Sequence, residues 1–120
     1  MVEKLLSFSV IPVLTTSSSD EAISGVTFAM NQVIRDLAEE YQLPVWNLWA
    51  AVQILPRHGM NTQLNDGFHL SGFQGDNRQY DYSNGIQTGW AMRNFTALLL
   101  IHTMRLGLQD ILNRWEAQSD

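Results

Sequence analysis

Residues 9–49 read as strand, helix, strand, and that pattern most restricts what the chain can become. "SVIPVLTT" (9–16) is a β-branched run bounded by polar residues. It suits a strand apolar on both faces, as in a parallel sheet covered by helices. Pro12 counts against a fully paired central position, because it has no N–H to donate. A helix is expected from about Asp20 or Ser24 to Tyr41, with Val26, Met30, Val33, Leu37 and Tyr41 at helical spacing and Ile34 and Ala38 widening the stripe. Asp36, Glu39 and Glu40 lie opposite. Pro44 stops the helix. Val45 to Leu48 then reads as a second strand and Trp49 to Leu55 as a short helix. Such a βαβ unit implies parallel strands and a right-handed crossover.

The remainder supplies little more sheet. Residues 56–89 are rich in Gly, Asn and Asp, and a structureless loop of that length is often functional. A helical region starts near Thr88. Trp90, Met92, Phe95, Leu98, Leu99, Ile101 and Met104 make it apolar nearly all round, so it is expected to be well buried. Gly107 is expected to break it, leaving 108–118 as a final amphipathic helix with Leu108, Ile111, Leu112 and Trp115 on one face. Two parallel strands with three or four helices do not close a domain, since a sheet needs more strands to bury its faces and cover its edges. The 120 residues therefore read as a single partial domain of the α/β class.

Composition narrows the partners. The seven Lys and Arg are scattered singly and the formal charge is −5, which argues against nucleic acid or an anionic membrane. No cysteine is present, so disulfides and thiolate chemistry are excluded. No apolar run reaches the roughly 18 residues that span a bilayer. "LLSFSVIPVL" (5–14) has the apolar character of a signal-peptide core. However, Glu3 sits where positive charge is needed, Pro12 interrupts the run and no A-x-A site follows. The expectation is a soluble chain without a convincing signal peptide, with the compartment open.

Candidate chemistry centres on "NDGFHLSG" (65–72). Histidine exchanges protons near neutral pH, and a hydrolytic serine needs such a base beside it. The base needs an acceptor on its other ring nitrogen, and Asp66 serves His69 so if the turn through Gly67 and Phe68 folds back. A D-x-x-H match is also what an Asp capping a turn beside an unrelated His would give. Ser71 is too close in sequence to His69 to aim at it and reads as a turn or helix-start oxygen. Ser17, Ser18 and Ser19 follow a strand end, where ligands of parallel sheets bind, but also read as a polar loop and helix cap. His58 reads as a surface loop histidine and His102 as a core or edge one. A zinc site from Asp66, His69 and His58 fits no usual ligand spacing, and no metal or cofactor is expected. Trp46, Trp49, Trp90 and Trp115 read as core and interface anchors rather than a sugar-stacking platform. Asn47 reads as a loop-orienting or satisfied amide.

The order of these blocks resembles the C-terminal half of SGNH (GDSL-type) hydrolases, over roughly residues 9 to 105. The matching parts are Pro12–Thr16, Asn31–Tyr41, Pro44–Trp49 and Asp66–Ser71, followed by the closing helix at "GWAMRNFTALLL". The resemblance implies an incomplete three-layer, flavodoxin-like fold with a parallel sheet. It also implies that Asp66 and His69 are two members of a catalytic triad, with Thr16 and Ser17 as candidate substrate contacts. The substrate would be an ester or an acylated carbohydrate. The chain departs from the family in lacking the Gly-Asp-Ser block and the Gly and Gly-x-Asn-Asp blocks of the oxyanion hole; "QGDNRQ" (74–79) is only superficially similar. Residues 72–88 look like an insertion. Two functions follow as expectations. One is a C-terminal fragment of a serine esterase, inactive alone, that meets an N-terminal half or self-associates. The other is a non-catalytic interaction module or truncated remnant derived from such an enzyme.

Overall fold

A computed structural model of the chain describes residues 1–64, 66–72 and 86–117, without the side chains of Ala22, Leu112, Trp115 and Glu116. Over the described residues the fold is mixed α/β, with four α-helices and a small two-stranded parallel sheet. In chain order the elements are α1 (Val2–Ser7), β1 (Leu14–Thr15), α2 (Ser24–Tyr41), β2 (Val45–Trp46), α3 (Leu48–Val52) and α4 (Gly89–Glu116). A single 3₁₀ turn at Glu21–Ile23 leads into α2, and a tight turn at Pro56–Gly59, with Arg57 and His58 left-handed, follows α3.

The βαβ unit forms as the pattern of residues 9–49 implies. Leu14 pairs with Val45 and Thr15 with Trp46 in parallel register. Leu14 N–H donates to the Pro44 carbonyl at 3.0 Å and Thr16 N–H to that of Trp46 at 3.1 Å. Both strands are shorter than expected, two residues each. Pro12 cannot join a ladder, and Val10 and Ile11 before it are exposed. α2 ends as Gln42 turns left-handed at φ 54° and its N–H closes on the last helical carbonyls, with Pro44 just beyond.

The main core is small. Leu48 and Val52 of α3, Leu55 beyond it and Met92 of α4 form a buried cluster against which Trp46, Ala51 and Ile86 pack. Trp46 indole N–H donates to Thr96 Oγ1 of α4 at 3.1 Å, tying the sheet to that helix. α3 is built for this place. Its N-cap Asn47 accepts the Ala50 N–H through Oδ1 at 3.1 Å, satisfying an otherwise orphaned donor.

Three expectations about burial are corrected. The α2 stripe is only partly covered: Val26, Met30 and Val33 are exposed, Ile34, Leu37 and Tyr41 are half-buried, and Ala38 is its buried member, beside Thr27. The β1 loop holds the side of Asn31, and α1 meets only the Tyr41 end of the stripe, so its first turns at Val26, Met30 and Val33 are left exposed. α4 is not well buried, since Leu98, Leu99, Ile101, Leu106, Leu108 and Ile111 are exposed. It also does not break at Gly107 but runs unbroken for 28 residues. One glycine costs a helix only about 1 kcal/mol, and no packing demands a turn there. His102, expected in the core or at its edge, is exposed on this helix.

The shape follows from the thin core. The radius of gyration is 17.4 Å and the extents are 59 × 35 × 21 Å. A compact chain of this length would have a radius near about 14 Å. The accessible surface is 8814 Å². A folded monomer of this mass exposes about 6,600 Å².

Candidate functional site

The turn Asp66–Leu70 is organised by one side chain. Asp66 Oδ1 accepts the backbone N–H of Phe68 at 3.2 Å and of His69 at 3.1 Å. This folds the segment back and presents the other carboxylate oxygen to the imidazole. His69 Nδ1–H donates to Asp66 Oδ2 at 2.5 Å. Gly67 makes the fold-back available, because it sits at φ +79°, a conformation that side-chain-bearing residues rarely adopt. Desolvation pushes the Asp66 carboxyl up, but the N–H groups of His69 and Phe68, and then the His69 ring, outweigh it and hold the carboxyl below its ordinary value.

The imidazole itself is accessible, with 57% of its side chain exposed against 28% for Asp66. The Phe68 ring lies 4.9 Å from it. With Nδ1 donating to Asp66, Nε2 is the basic nitrogen of the neutral ring. The pair therefore has the chemistry of a proton acceptor held in one tautomer.

Neighbouring segments fix this turn. Asn61 N–H donates to the His69 carbonyl and Ser71 N–H to the Gly59 carbonyl, both at 2.7 Å, flanking a Met60–Leu70 antiparallel bridge. Gly59 and Gly89 touch so closely that a Cβ on Gly59 would stand 2.9 Å from the Gly89 Cα. Ser71 Oγ accepts the Gly89 N–H at 3.0 Å, so this hydroxyl marks the start of α4. The loop after β1 joins from the other side, where Asp20 N–H donates to the Gly67 carbonyl at 2.8 Å. The turn thus meets the loop that follows β1.

A cleft of about 430 Å³ lined by Asp20, Glu21, Arg57 and His58 adjoins the turn. Arg57 approaches Asp20 at 3.4 Å. Arg57 and His58 are consecutive residues at φ 49° and 52°, a left-handed pair that costs roughly 1–2 kcal/mol per residue. His58, expected on the surface, is half-buried in this cleft. The sequence pattern marked neither the left-handed turn nor the cleft.

The serine loop is held tightly. Asn31 of α2 clamps Ser17, accepting its N–H through Oδ1 and donating Nδ2–H to its carbonyl, each at 2.8 Å. Ser18 and Ser19 are each only 5% exposed, and Ser18 Oγ is buried without a hydrogen-bond partner among the described residues. A nucleophile must reach an incoming carbonyl, and those two hydroxyls are covered. Ser17 is half-buried. Thr16 is buried and engaged: its Oγ1 accepts the Trp49 N–H at 3.0 Å and its hydroxyl donates to Asn47 Oδ1 at 3.2 Å. Its hydroxyl thus braces the start of α3. Asn47, a loop-orienting or buried amide in the sequence reading, is an exposed helix cap.

Asp66 and His69 are therefore brought together. Thr16 and Ser17 stand on the β1 loop that touches the same turn through Asp20, and His102 lies far along α4. Among the described residues no group of three or more His, Asp or Glu is placed to hold a metal ion. No described helix is long and apolar enough to cross a membrane. Most of the 72–88 stretch, including "QGDNRQ", lies outside the described residues. No protein-family model, curated protein or solved structure matches the chain.

Proposed function

We propose that Asp66 and His69 are the base half of a serine ester hydrolase of the SGNH type, the serine and oxyanion donors coming from outside these 120 residues. The observation that carries this reading is the 2.5 Å contact between His69 Nδ1 and Asp66 Oδ2 on an imidazole that faces solvent. With 57% of its side chain exposed, the imidazole is open to approach by a second group. In the assembled site the serine hydroxyl attacks the acyl carbonyl while His69 Nε2 accepts its proton. The tetrahedral intermediate collapses as His69 returns that proton to the leaving alcohol. Water then repeats the cycle on the acyl-enzyme. Asp66 holds the tautomer throughout and stabilises the imidazolium.

The bare flanks of β1 and α2 support the same reading. Val10, Ile11, Val26, Phe28, Met30 and Val33 are exposed around a two-stranded sheet, which is where a fold of this class would receive further strands and helices. The substrate class that fits is an ester or an acylated carbohydrate.

The test is reconstitution. The 120-residue chain alone is expected to hydrolyse p-nitrophenyl acetate no faster than free imidazole. An oxyanion donor is worth roughly 10²–10³ in rate and the nucleophile more. Fusion to a segment bearing a Gly-Asp-Ser block should restore turnover, and His69→Ala in the fusion should remove most of it. Turnover by the fusion that survives His69→Ala would exclude His69 as the base. A folded fusion with no turnover would favour the non-catalytic module.

A further inference from the structure

We infer that the cleft beside the Asp66–His69 turn binds the hydroxyl groups of a sugar, with Arg57 as the anchoring donor and Asp20 and Glu21 as acceptors. Its volume of about 430 Å³ falls within the roughly 300–1,000 Å³ typical of small-molecule sites. Most such sites are lined by apolar side chains, whereas this one is lined by Asp20, Glu21, Arg57 and His58. The ligand it suits is therefore polar over most of its surface. The backbone is bent to present these groups. Arg57 and His58 stand at φ 49° and 52°, where glycine would rest without strain. Strain of this kind persists where the surrounding structure enforces it, and it clusters at ligand sites. Here the enforcement is visible. His58 N–H donates to the Leu55 carbonyl and Met60 N–H to that of Arg57, both at 3.0 Å, and Gly59 abuts Gly89. Arg57 is exposed, so core packing does not account for its side chain.

Charge selects among polar ligands. Two carboxylates oppose an anion, and the guanidinium opposes a cation. Among the described residues, Asp20, Glu21 and His58 do not form a group placed to hold a metal ion. A sugar hydroxyl donates and accepts at once, so it can donate to a carboxylate while accepting from the guanidinium. Arg57 Nη2 stands 3.4 Å from Asp20 Oδ2, longer than the roughly 2.7–2.9 Å of a closed charge-assisted bond. A hydroxyl can therefore bridge the two groups. Asp20 also abuts Gly67, so the cleft borders the His69 turn. Under the hydrolase reading, on which this last step rests, the cleft seats the carbohydrate part of an acylated carbohydrate.

The experiment is an NMR titration of the full chain with the methyl glycosides of glucose, galactose, mannose and N-acetylglucosamine. At least one should bind saturably and shift the backbone amides of Asp20, Glu21, Arg57 and His58 more than any others. Arg57→Gly should weaken that glycoside by roughly 10-fold or more, the worth of hydrogen bonds from a charged donor. Glycine accepts the left-handed backbone, so this variant removes the side chain while keeping the turn. Glu21→Ala, on the exposed 3₁₀ turn before α2, should weaken binding as well. The proposal is overturned if no glycoside moves those four amides, or if affinity survives both substitutions. Inorganic phosphate or tetramethylammonium binding there more tightly than every glycoside would overturn it too. No serine and no turnover enter this readout, so it holds or fails apart from hydrolysis by the fusion.

Discussion

Asp20 grips Gly67 twice: its N–H donates to the Gly67 carbonyl at 2.8 Å, and its carboxylate occupies the space a Gly67 side chain would need. An added Cβ would stand 2.7 Å from Asp20 Oδ1 on a residue at φ +79°. Gly67→Ala is therefore expected to destabilise the turn by about 1–2 kcal/mol through backbone strain alone. Amide exchange should speed at Phe68 and His69, whose N–H groups are bonded to Asp66. Unchanged protection at those two amides would show that the turn does not depend on this contact.

The Asp66 carboxyl predicts how the turn responds to acid. Its folded value lies below the ordinary 3.8, because the hydrogen bonds it accepts outweigh its desolvation. A carboxyl depressed on folding stabilises the fold above its unfolded value, and that stabilisation is lost as pH falls through the folded one. The Phe68 and His69 amide resonances should show an acid transition below the ordinary carboxylate value of 3.8. Asp66→Asn should remove that transition. A transition that persists in Asp66→Asn would belong to another group.

α1 docks on α2 through a phenol that titrates late. Tyr41 O–H donates to Glu3 Oε1 at 3.0 Å. That hydrogen bond, followed by desolvation and the charges of Glu3 and Glu40, raises the phenol above its usual 10.0. A raised acid stabilises the fold below its unfolded value and ceases to as pH rises through the folded one, so this tie should fail only above pH 10. Phenolate absorbance, taken as the difference from Tyr41→Phe, should show a midpoint above 10 that falls in Glu3→Gln. No fall in Glu3→Gln would mean the two side chains do not meet.

What the sequence disclosed and what it hid divide along physical lines. The parallel pairing of β1 and β2 was legible because local periodicity and Pro44 determine where elements begin and end. The Asp66–His69 contact was legible because Gly67 makes the fold-back between them easy. Burial was not legible. Periodicity marks the apolar face of α2 and α4 but carries no information about what covers it, and here Val26, Met30, Val33, Leu108 and Ile111 face outward. Contacts between distant segments were equally hidden: the Asn31 clamp on Ser17 and the abutment of Gly59 on Gly89 join residues with no spacing rule between them.

Asn47 joins two jobs that substitution can separate. Its Oδ1 accepts the Ala50 N–H at 3.1 Å, capping α3, and the Thr16 hydroxyl at 3.2 Å, tying the β1 end to that cap. Thr16 Oγ1 in turn accepts the Trp49 N–H at 3.0 Å, so two donors of the first turn of α3 depend on this pair. α3 carries Leu48 and Val52 into the core beside Met92, so loosening its start should loosen the seat of α4. Asn47→Ala is expected to cost roughly 1–2 kcal/mol in urea unfolding, a lost cap together with an unmet hydroxyl. Asn47→Asp keeps the acceptor and adds negative charge at a helix N-terminus, so it should retain nearly all the stability. Thr16→Val combined with Asn47→Ala should cost less than the two changes separately, because the pair shares one hydrogen bond. Strict additivity would show that Thr16 and Asn47 act independently, and the brace from β1 to α3 would then have to run through Trp46 alone.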